Sequence, residues 1–483
     1  MSATARLAYA AASLFAVTTP AGAADKFENL LKYLPSTVNA VVIADVQSLY
    51  GSPLGTRGKW ATTAGLGFPA GIQQVVLAGQ LDLDSLHEIG HEYGVAYLKV
   101  KLTMEDLAAR EQGAVDTIGG LPAVLSPRNA YFVDFRPWTV GMITPANRQD
   151  ATQWVKFARD NPRPVLSPFL SASVVNTDFK TQFVIALDLA DAVHPQTARA
   201  RLADMKAVGD KRADVEALTK LVSGIQGLRL EVKVADDIQG ELRVEFDQDV
   251  GRFAGLALPL FQEVLARRGA ALDEVANWTA DASGKAMIFR GPLSEKAFRR
   301  VAALLQSPAP SVGTGEEPAA LAAELRLVAS QHYFKLVTTY LDDLQKPTSQ
   351  AKKSYENYAL WYETFAKKIG QLPPYNVDDE LLKYGYGVAE RLRAIAASLR
   401  GEVVDVNNLE KKIGYGVSLG TAPGWGWRPQ PFVFINTNMG QIRAQQQEAI
   451  EKGEGTRQEI WKTIEAQTAD VRSRMGQKYN TPF

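Results

Sequence analysis

The residues that could do chemistry stand closest together at positions 87 to 91, which read His-Glu-Ile-Gly-His. On a helix, two histidines four residues apart lie on one face, so both imidazoles can bind one zinc ion. A glutamate between them can act as general base on a zinc-bound water. The string therefore makes His87 and His91 candidate zinc ligands and Glu88 a candidate catalytic base.

A longer string, HEIGHEYG, resembles the zinc-binding segment of metzincin metallopeptidases. That family places a third histidine three residues after the glycine, where this chain has Tyr97. The thermolysin-like group instead uses a glutamate about twenty residues after the second histidine, and Glu111 matches that position. The resemblance thus implies His87, His91 and Glu111 as the ligand set of a zinc site.

Two stretches of the chain, residues 24–162 and 163–306, repeat one order of predicted elements. Each reads strand, helix, strand, strand, helix, strand, strand, helix. Each also begins with a run typical of a buried strand, at residues 40–46 and 182–189. We predict an α+β fold with an internal duplication of this βαββαββα unit; two unrelated α+β domains are the alternative.

The residues around the histidines favour a strand over the helix that a zinc site requires. Gly90 and Gly94 together would cost a helix about 2 kcal/mol. Residues 93–100 are rich in β-forming side chains. Local sequence preference therefore opposes a helix over residues 84–98.

The duplication supports the same interpretation. In the second unit the corresponding stretch is a predicted hairpin turn between Val234 and Glu241. By analogy, we interpret residues 82–91 as a hairpin connection in which His87 lies in the loop and His91 begins a strand. The zinc site remains the alternative interpretation.

After the second unit the sequence becomes mainly helical. Tyr358, Tyr362 and Phe365 recur at helical spacing, which predicts a bundle core more than a stacking site for sugars or bases. The predicted segments are a linker (307–318), a helical region (319–400), a Gly- and aromatic-rich segment (401–438) and a polar helical tail (439–483).

The first 23 residues have the features of a cleavable secretory signal peptide. Arg6 precedes a short apolar run at residues 7–17, and Pro20 follows it. The small residues Ala21-Gly22-Ala23 match the pattern that signal peptidase requires. The apolar run is shorter than the roughly 20 residues of a membrane-spanning helix. We therefore expect an exported protein, periplasmic or extracellular, with no transmembrane segment after cleavage.

Composition limits the chemistry of the chain. Lys and Arg total 53, as do Asp and Glu, so no excess positive charge favours nucleic acid as a partner. The 483 residues include no cysteine, which excludes disulfides, thiol nucleophiles and thiolate metal sites. Only four histidines are present, and we interpret His194 and His332 as structural or surface residues.

Two segments resemble uncharacterised exported proteins of planctomycete-type bacteria. They are LSPRNAYFV, residues 125–133, and YALWYETFAKKIGQLPPYNVDDELLKYG, residues 358–385. The resemblance covers most of the chain after the signal peptide but includes no catalytic motif. It implies export and assigns no site residues.

These observations lead to two functional expectations. The first is a non-enzymatic binding or scaffold protein of the cell envelope, with a protein partner and no cofactor. The alternative is a zinc-dependent metallopeptidase with His87, His91 and Glu111 as ligands and Glu88 as base. The two differ in whether residues 84–98 are helical.

Overall fold

The computed structural model describes most of both predicted units and four helical parts of the C-terminal region. The described residues are 23–63, 68, 71–81, 89–135, 138–175, 181–210, 214–303, 322–344, 358–370, 372, 377–400 and 453–483. The signal peptide up to residue 22, the linker 307–318 and the segment 401–438 lie outside them.

Twelve strands form one continuous antiparallel sheet. They are β1 (Ala40–Asp45), β2 (Ile72–Leu81), β3 (Ile89–Leu98), β4 (Ala114–Ile118), β5 (Leu121–Ser126), β6 (Ala130–Asp134), β7 (Thr139–Thr144), β8 (Phe183–Asp188), β9 (Ile225–Val234), β10 (Ile238–Phe246), β11 (Thr279–Ser283) and β12 (Ala286–Leu293). Their order across the sheet is β11-β12-β10-β9-β8-β1-β2-β3-β7-β6-β5-β4. The first unit contributes β1 to β7 and the second β8 to β12, so the sheet runs unbroken through both units.

The two units meet at the antiparallel pair β1–β8, whose register has the symmetry of a two-fold axis. Val41 lies opposite Ala186, and Ile43 lies opposite Val184. From this pair the order β1-β2-β3-β7-β6 in one direction mirrors β8-β9-β10-β12-β11 in the other. The α+β fold with an internal duplication is therefore confirmed.

Side-chain contacts repeat along with the strands. The amide of Asn39 donates to the carbonyl of Leu81 at 2.9 Å and accepts from its N–H at 2.8 Å. The amide of Gln182 makes the same two bonds with Val234, both at 2.9 Å. Each amide precedes the first strand of its unit and binds the last residue of the next strand. The equivalent turns are therefore held by equivalent hydrogen bonds.

The first unit departs from the predicted eight-element order by containing an extra hairpin. Four strands, β4 to β7, follow its second helix, whereas two strands follow in the second unit. The sequence pattern predicts one strand over residues 131–144, but the structure divides it into β6 and β7 at a turn. Trp138 takes a positive φ of 62° there, and the N–H of Phe135 donates to the carbonyl of Thr139 at 3.0 Å.

Sixteen α-helices of the described residues accompany the sheet. They are α1 (Ala23–Leu31), α2 (Val46–Gly51), α3 (Pro53–Arg57), α4 (Trp60–Thr63), α5 (Met104–Glu111), α6 (Arg148–Asp160), α7 (Pro168–Val175), α8 (Pro195–Ala203), α9 (Lys206–Asp210), α10 (Val215–Ser223), α11 (Ala254–Arg267), α12 (Glu295–Ala303), α13 (Ala322–Leu344), α14 (Ala359–Gly370), α15 (Asp379–Leu399) and α16 (Glu454–Tyr479). None of these helices is long and apolar enough to cross a membrane.

The sheet has an apolar core on each side. We name face A the side that carries Ala44 and Phe183, and face B the side that carries Ile43 and Val184. Strand alternation separates these neighbours because successive side chains point to opposite faces. The last helices of the two units differ in position, since α6 packs on face B and α12 on face A.

Several local predictions are confirmed. The sequence predicts a helix over residues 104–111 with Thr103 as its cap; α5 spans Met104–Glu111, and the hydroxyl of Thr103 accepts from the N–H of Asp106 at 3.1 Å. The aromatic residues of α14 are buried in a bundle core rather than exposed for stacking. The hairpin β9–β10 forms as predicted, although β10 begins three residues earlier.

The C-terminal helices pack around a core of their own and dock onto the second unit through α12. The guanidinium of Arg299 makes two 2.7 Å hydrogen bonds with the carboxylate of Asp343 at the end of α13. The indole N–H of Trp361 donates to the carbonyl of Ala271 at 3.0 Å. The hydroxyl of Tyr358 donates to Asp273 at 2.7 Å. These contacts fix the helical region on the α+β half.

Candidate functional site

His91 lies near the start of β3, within a strand instead of a helix. Its Nε2 is 3.1 Å from Oδ2 of Asp150, in the first turn of α6. Residues 89–98 therefore do not form the helix that a zinc site requires, so that alternative is wrong for these residues. The predicted strand that includes His91 is confirmed. His87 and Glu88 lie outside the described residues.

Strand geometry also directs the side chains of the HEIGHEYG string to opposite sides of the sheet. His91 and Tyr93 are on face B, where their rings stack 6.2 Å apart. Glu92 is on face A and is 9% exposed. Burial raises the pKa of the Glu92 carboxyl, and the charges of Lys367 and Lys368 on α14 partly offset this shift. Neighbouring side chains of the string therefore point to opposite faces of the sheet.

Glu111, the third ligand of the zinc alternative, is fully buried at 0% exposure. Its Oε2 accepts hydrogen bonds from the hydroxyl of Ser126 at 2.8 Å and from Nε of Arg128 at 2.7 Å. Its Oε1 accepts from the terminal guanidinium nitrogen of Arg128. Both oxygens thus hold the β5–β6 turn against α5. Throughout the described part of the chain, no three His, Asp or Glu side chains are placed to hold a metal ion.

The other two histidines have separate positions. His194 caps α8, and its Nδ1 accepts from the N–H of Gln196 at 3.3 Å. His332 lies on α13 at the rim of a groove. The first therefore has the structural role that its position before Pro195 predicts, and the second is part of a larger surface feature.

That feature is a groove of about 730 Å³ between α13 and α16. Both helices pack against α15. Buried apolar side chains of Phe334, Leu341 and Ile464 line the floor. Val328, at one end of the groove, is 57% exposed. An accessible apolar channel therefore lies open in the helical region.

The two walls run antiparallel. The guanidinium of Arg472 lies over the ring of Phe334, 5.4 Å from its centroid. Gln331, nearer the start of α13, donates to the carbonyl of Pro482, beyond the end of α16, at 2.9 Å. Because the later part of α16 lies beside the earlier part of α13, Lys335 and Arg472 lie at one level, near the middle of the groove. Two turns away, Asp342 and Glu465 line one of its ends.

The last residues of the chain fix the position of the α16 wall. Nζ of Lys478 is 2.7 Å from Oδ2 of Asp378, the N-cap of α15, and the hydroxyl of Tyr479 donates to the same oxygen at 2.8 Å. Burial alone would raise the pKa of Asp378, but these hydrogen bonds and that of the Glu380 N–H hold it below its ordinary value. Asp378 therefore anchors α16 as a carboxylate.

A polar contact joins α15 to the groove residue Thr468 on α16. The hydroxyl groups of Tyr384 and Thr468 are 2.8 Å apart. Burial raises the pKa of Tyr384 to about 12, so its hydroxyl stays protonated at neutral pH. This bond positions Thr468 in the middle of the groove wall.

Sequence patterns do not identify the groove, although one signal exists. Ile460, Ile464, Val471 and Met475 form the buried stripe of α16. Trp461 stands one position off that stripe and lines the groove. An aromatic residue outside the core stripe indicates a second contact surface.

Comparisons with known proteins supply no family. No family model matches the chain, and no curated protein matches it. Among solved structures, crystal form I of TP0453 is similar with a TM-score of 0.35 and 11% identity, over 57% of this chain and 96% of that chain. Crystal form III gives a TM-score of 0.36 and 11% identity, over 56% and 97%. At these values the similarity supports no conclusion about function.

Proposed function

We propose that this chain is an exported, non-enzymatic binding protein of the cell envelope, and that the groove between α13 and α16 binds its partner. The observation that carries the proposal is the groove itself: an open cleft with a buried apolar floor and charged walls, on a region that is hydrogen-bonded to the α+β half. Such concave apolar surfaces with a few polar groups are the usual form of a binding site.

The α+β half serves as the support in this proposal. Its polar side chains form structural contacts, such as those of Glu111 with Arg128 and Ser126. The metallopeptidase alternative is not proposed, because residues 89–98 form a strand and Glu111 is buried in an ion pair.

Two exposed alanines on α16 allow a matched test of the groove. Ala469 lines the groove, whereas Ala466, three residues earlier, is exposed but does not. A photo-crosslinking amino acid placed at either position in the producing cells reports what lies within a few ångströms. We expect one discrete adduct of higher mass from position 469 and none from position 466. Equal adducts from both positions, or none from 469, would contradict a partner in the groove.

Export is tested separately. We expect the mature protein to be recovered from the periplasm or medium with its amino terminus at or next to Ala24. An intact Met1 in a cytoplasmic fraction would reject this part of the proposal and leave the groove experiment unaffected.

A further inference from the structure

The shape of the groove fits a helix better than a compact ligand. From Val328 to Asp342, α13 advances about 21 Å at 1.5 Å per residue. Groove-lining residues recur every three or four positions along both walls. On α16 they include Trp461, Glu465 and Thr468. Each wall therefore presents a straight ridge parallel to its axis, which is the surface that a further helix packs against.

The size of the lining side chains along the groove also suits a helix. Thr338, Thr468 and Ala469 are small and line its middle, whereas Trp461 and Phe483 are large and lie toward its ends. Small residues in the middle allow the backbone of a third helix to approach closely. Phe334 and Ile464 beneath them supply an apolar floor.

Charge is ordered along the same axis. Lys335 and Arg472 make the middle of the groove basic, and Asp342 and Glu465 make one end acidic. On each wall the basic and the acidic residue are seven positions apart, so the two charged levels are about 10 Å apart. A complementary occupant carries acidic side chains at the first level and basic ones at the second.

We propose that the groove binds one amphipathic helix of a partner protein, about 14 residues long, with acidic side chains at Lys335 and Arg472 and basic side chains two turns away at Asp342 and Glu465. The apolar stripe of that helix packs on the floor between the two walls. This inference rests on the proposed binding function and adds the chemical class and charge order of the partner.

The test uses two synthetic helical peptides of identical composition, each with a leucine stripe. One has its Glu and Lys residues segregated into opposite halves, and the other has them alternating along the helix. Fluorescence anisotropy with the full chain lacking its signal peptide measures each dissociation constant. We expect the segregated peptide to bind at least tenfold more tightly, and Ala469→Trp but not Ala466→Trp to abolish binding.

Charge variants of the chain test the order directly. Lys335→Glu with Arg472→Glu should weaken binding of the segregated peptide at least tenfold. Lys462→Glu, an exposed change on α16 away from the groove, should leave it unchanged. Adding Asp342→Lys and Glu465→Lys to the double variant exchanges the charges of the two levels. Because the segregated helix can then lie in the opposite direction, binding should return to within about threefold of the original.

Equal affinity for both peptides, or failure of the inverted variant to recover, would overturn the charge-ordered helix. If Ala469→Trp still blocked both peptides, the groove would remain a binding site and the proposed function would stand. Binding of myristate in the groove, with neither peptide bound, would assign it to an anionic amphiphile and reject a helix. An intramolecular crosslink from position 469 to residues 401–452 would overturn both proposals.

Discussion

The region around β3 and the groove between α13 and α16 use their polar side chains differently. Around β3, His91 contacts Asp150, and Glu111 is buried with Arg128. In the groove, charged residues such as Lys335 and Arg472 line an accessible surface above an apolar floor. His91 and Glu111, the two described residues of the zinc alternative, therefore support local structure, while the surface suited to a partner contains no motif.

The largest expected effect comes from breaking the buried ion pair between α5 and the β5–β6 turn. Glu111→Ala leaves the side chain of Arg128, which is 8% exposed, buried without its carboxylate partner. Removing one member of a buried ion pair costs about 3–5 kcal/mol, so the free energy of unfolding should fall by that amount in urea denaturation. Glu105→Ala, an exposed change on the same helix, should alter it by less than about 0.5 kcal/mol. If the urea midpoint of Glu111→Ala were unchanged, the ion pair would not stabilise the fold, and Glu111 would again be a candidate functional residue.

A smaller effect is expected from the anchor that positions the α16 wall. Asp378→Asn retains a side chain able to cap α15 but removes the charged bonds with Lys478 and Tyr479. Since Lys478 is half exposed, the loss of stability should be roughly 1–2 kcal/mol. Thermal unfolding at pH 7 measures it, and peptide binding in the groove should weaken with it.

The difference in stability between wild type and Asp378→Asn depends on pH in a definite direction. The pKa of Asp378 is below its ordinary value in the folded chain, so its contribution is complete above a pH of about 4 and is lost as the pH falls through the folded pKa. Wild type and Asp378→Asn should therefore converge in stability at acid pH. A difference that persisted undiminished at pH 2 would show that the charge of Asp378 is not responsible.

The smallest effect is expected at the histidine that most resembles a metal ligand. His91 and Asp150 are both about one-third exposed, and exposed ion pairs contribute at most about 1 kcal/mol. His91→Ala should therefore lower stability by less than that amount and leave the zinc content of the purified protein unchanged. Loss of stoichiometric zinc in this variant would restore the metallopeptidase alternative and erase the contrast between the two regions.

Local sequence was sufficient where local interactions decide the structure. Thr103 begins α5 because its hydroxyl accepts a backbone N–H three residues on. His91 lies in a strand because the flanking glycines disfavour a helix and the following residues favour β structure. The break between β6 and β7 escaped prediction because it depends on Trp138 at positive φ, where few non-glycine residues are found.

The duplication was recognisable as an order of elements, but its geometry was not. The two-fold register of β1 with β8 depends on pairing between strands that are distant in sequence. The same holds for the last helices of the two units, which lie on opposite faces of the sheet. Similar amphipathic patterns specify that a helix packs on a sheet without specifying which face it covers.

The sequence by itself determined the α+β class, the repeated unit, most helix and strand positions and the strand character around His91. Each of these follows from propensity, capping and hydrophobic period within a few neighbouring residues. The tertiary structure alone decided that Glu111 is buried with Arg128 and that Lys335 and Arg472 lie at one level of a groove. Those facts depend on contacts between segments far apart in the chain, which side-chain packing and burial select only when the whole molecule is assembled.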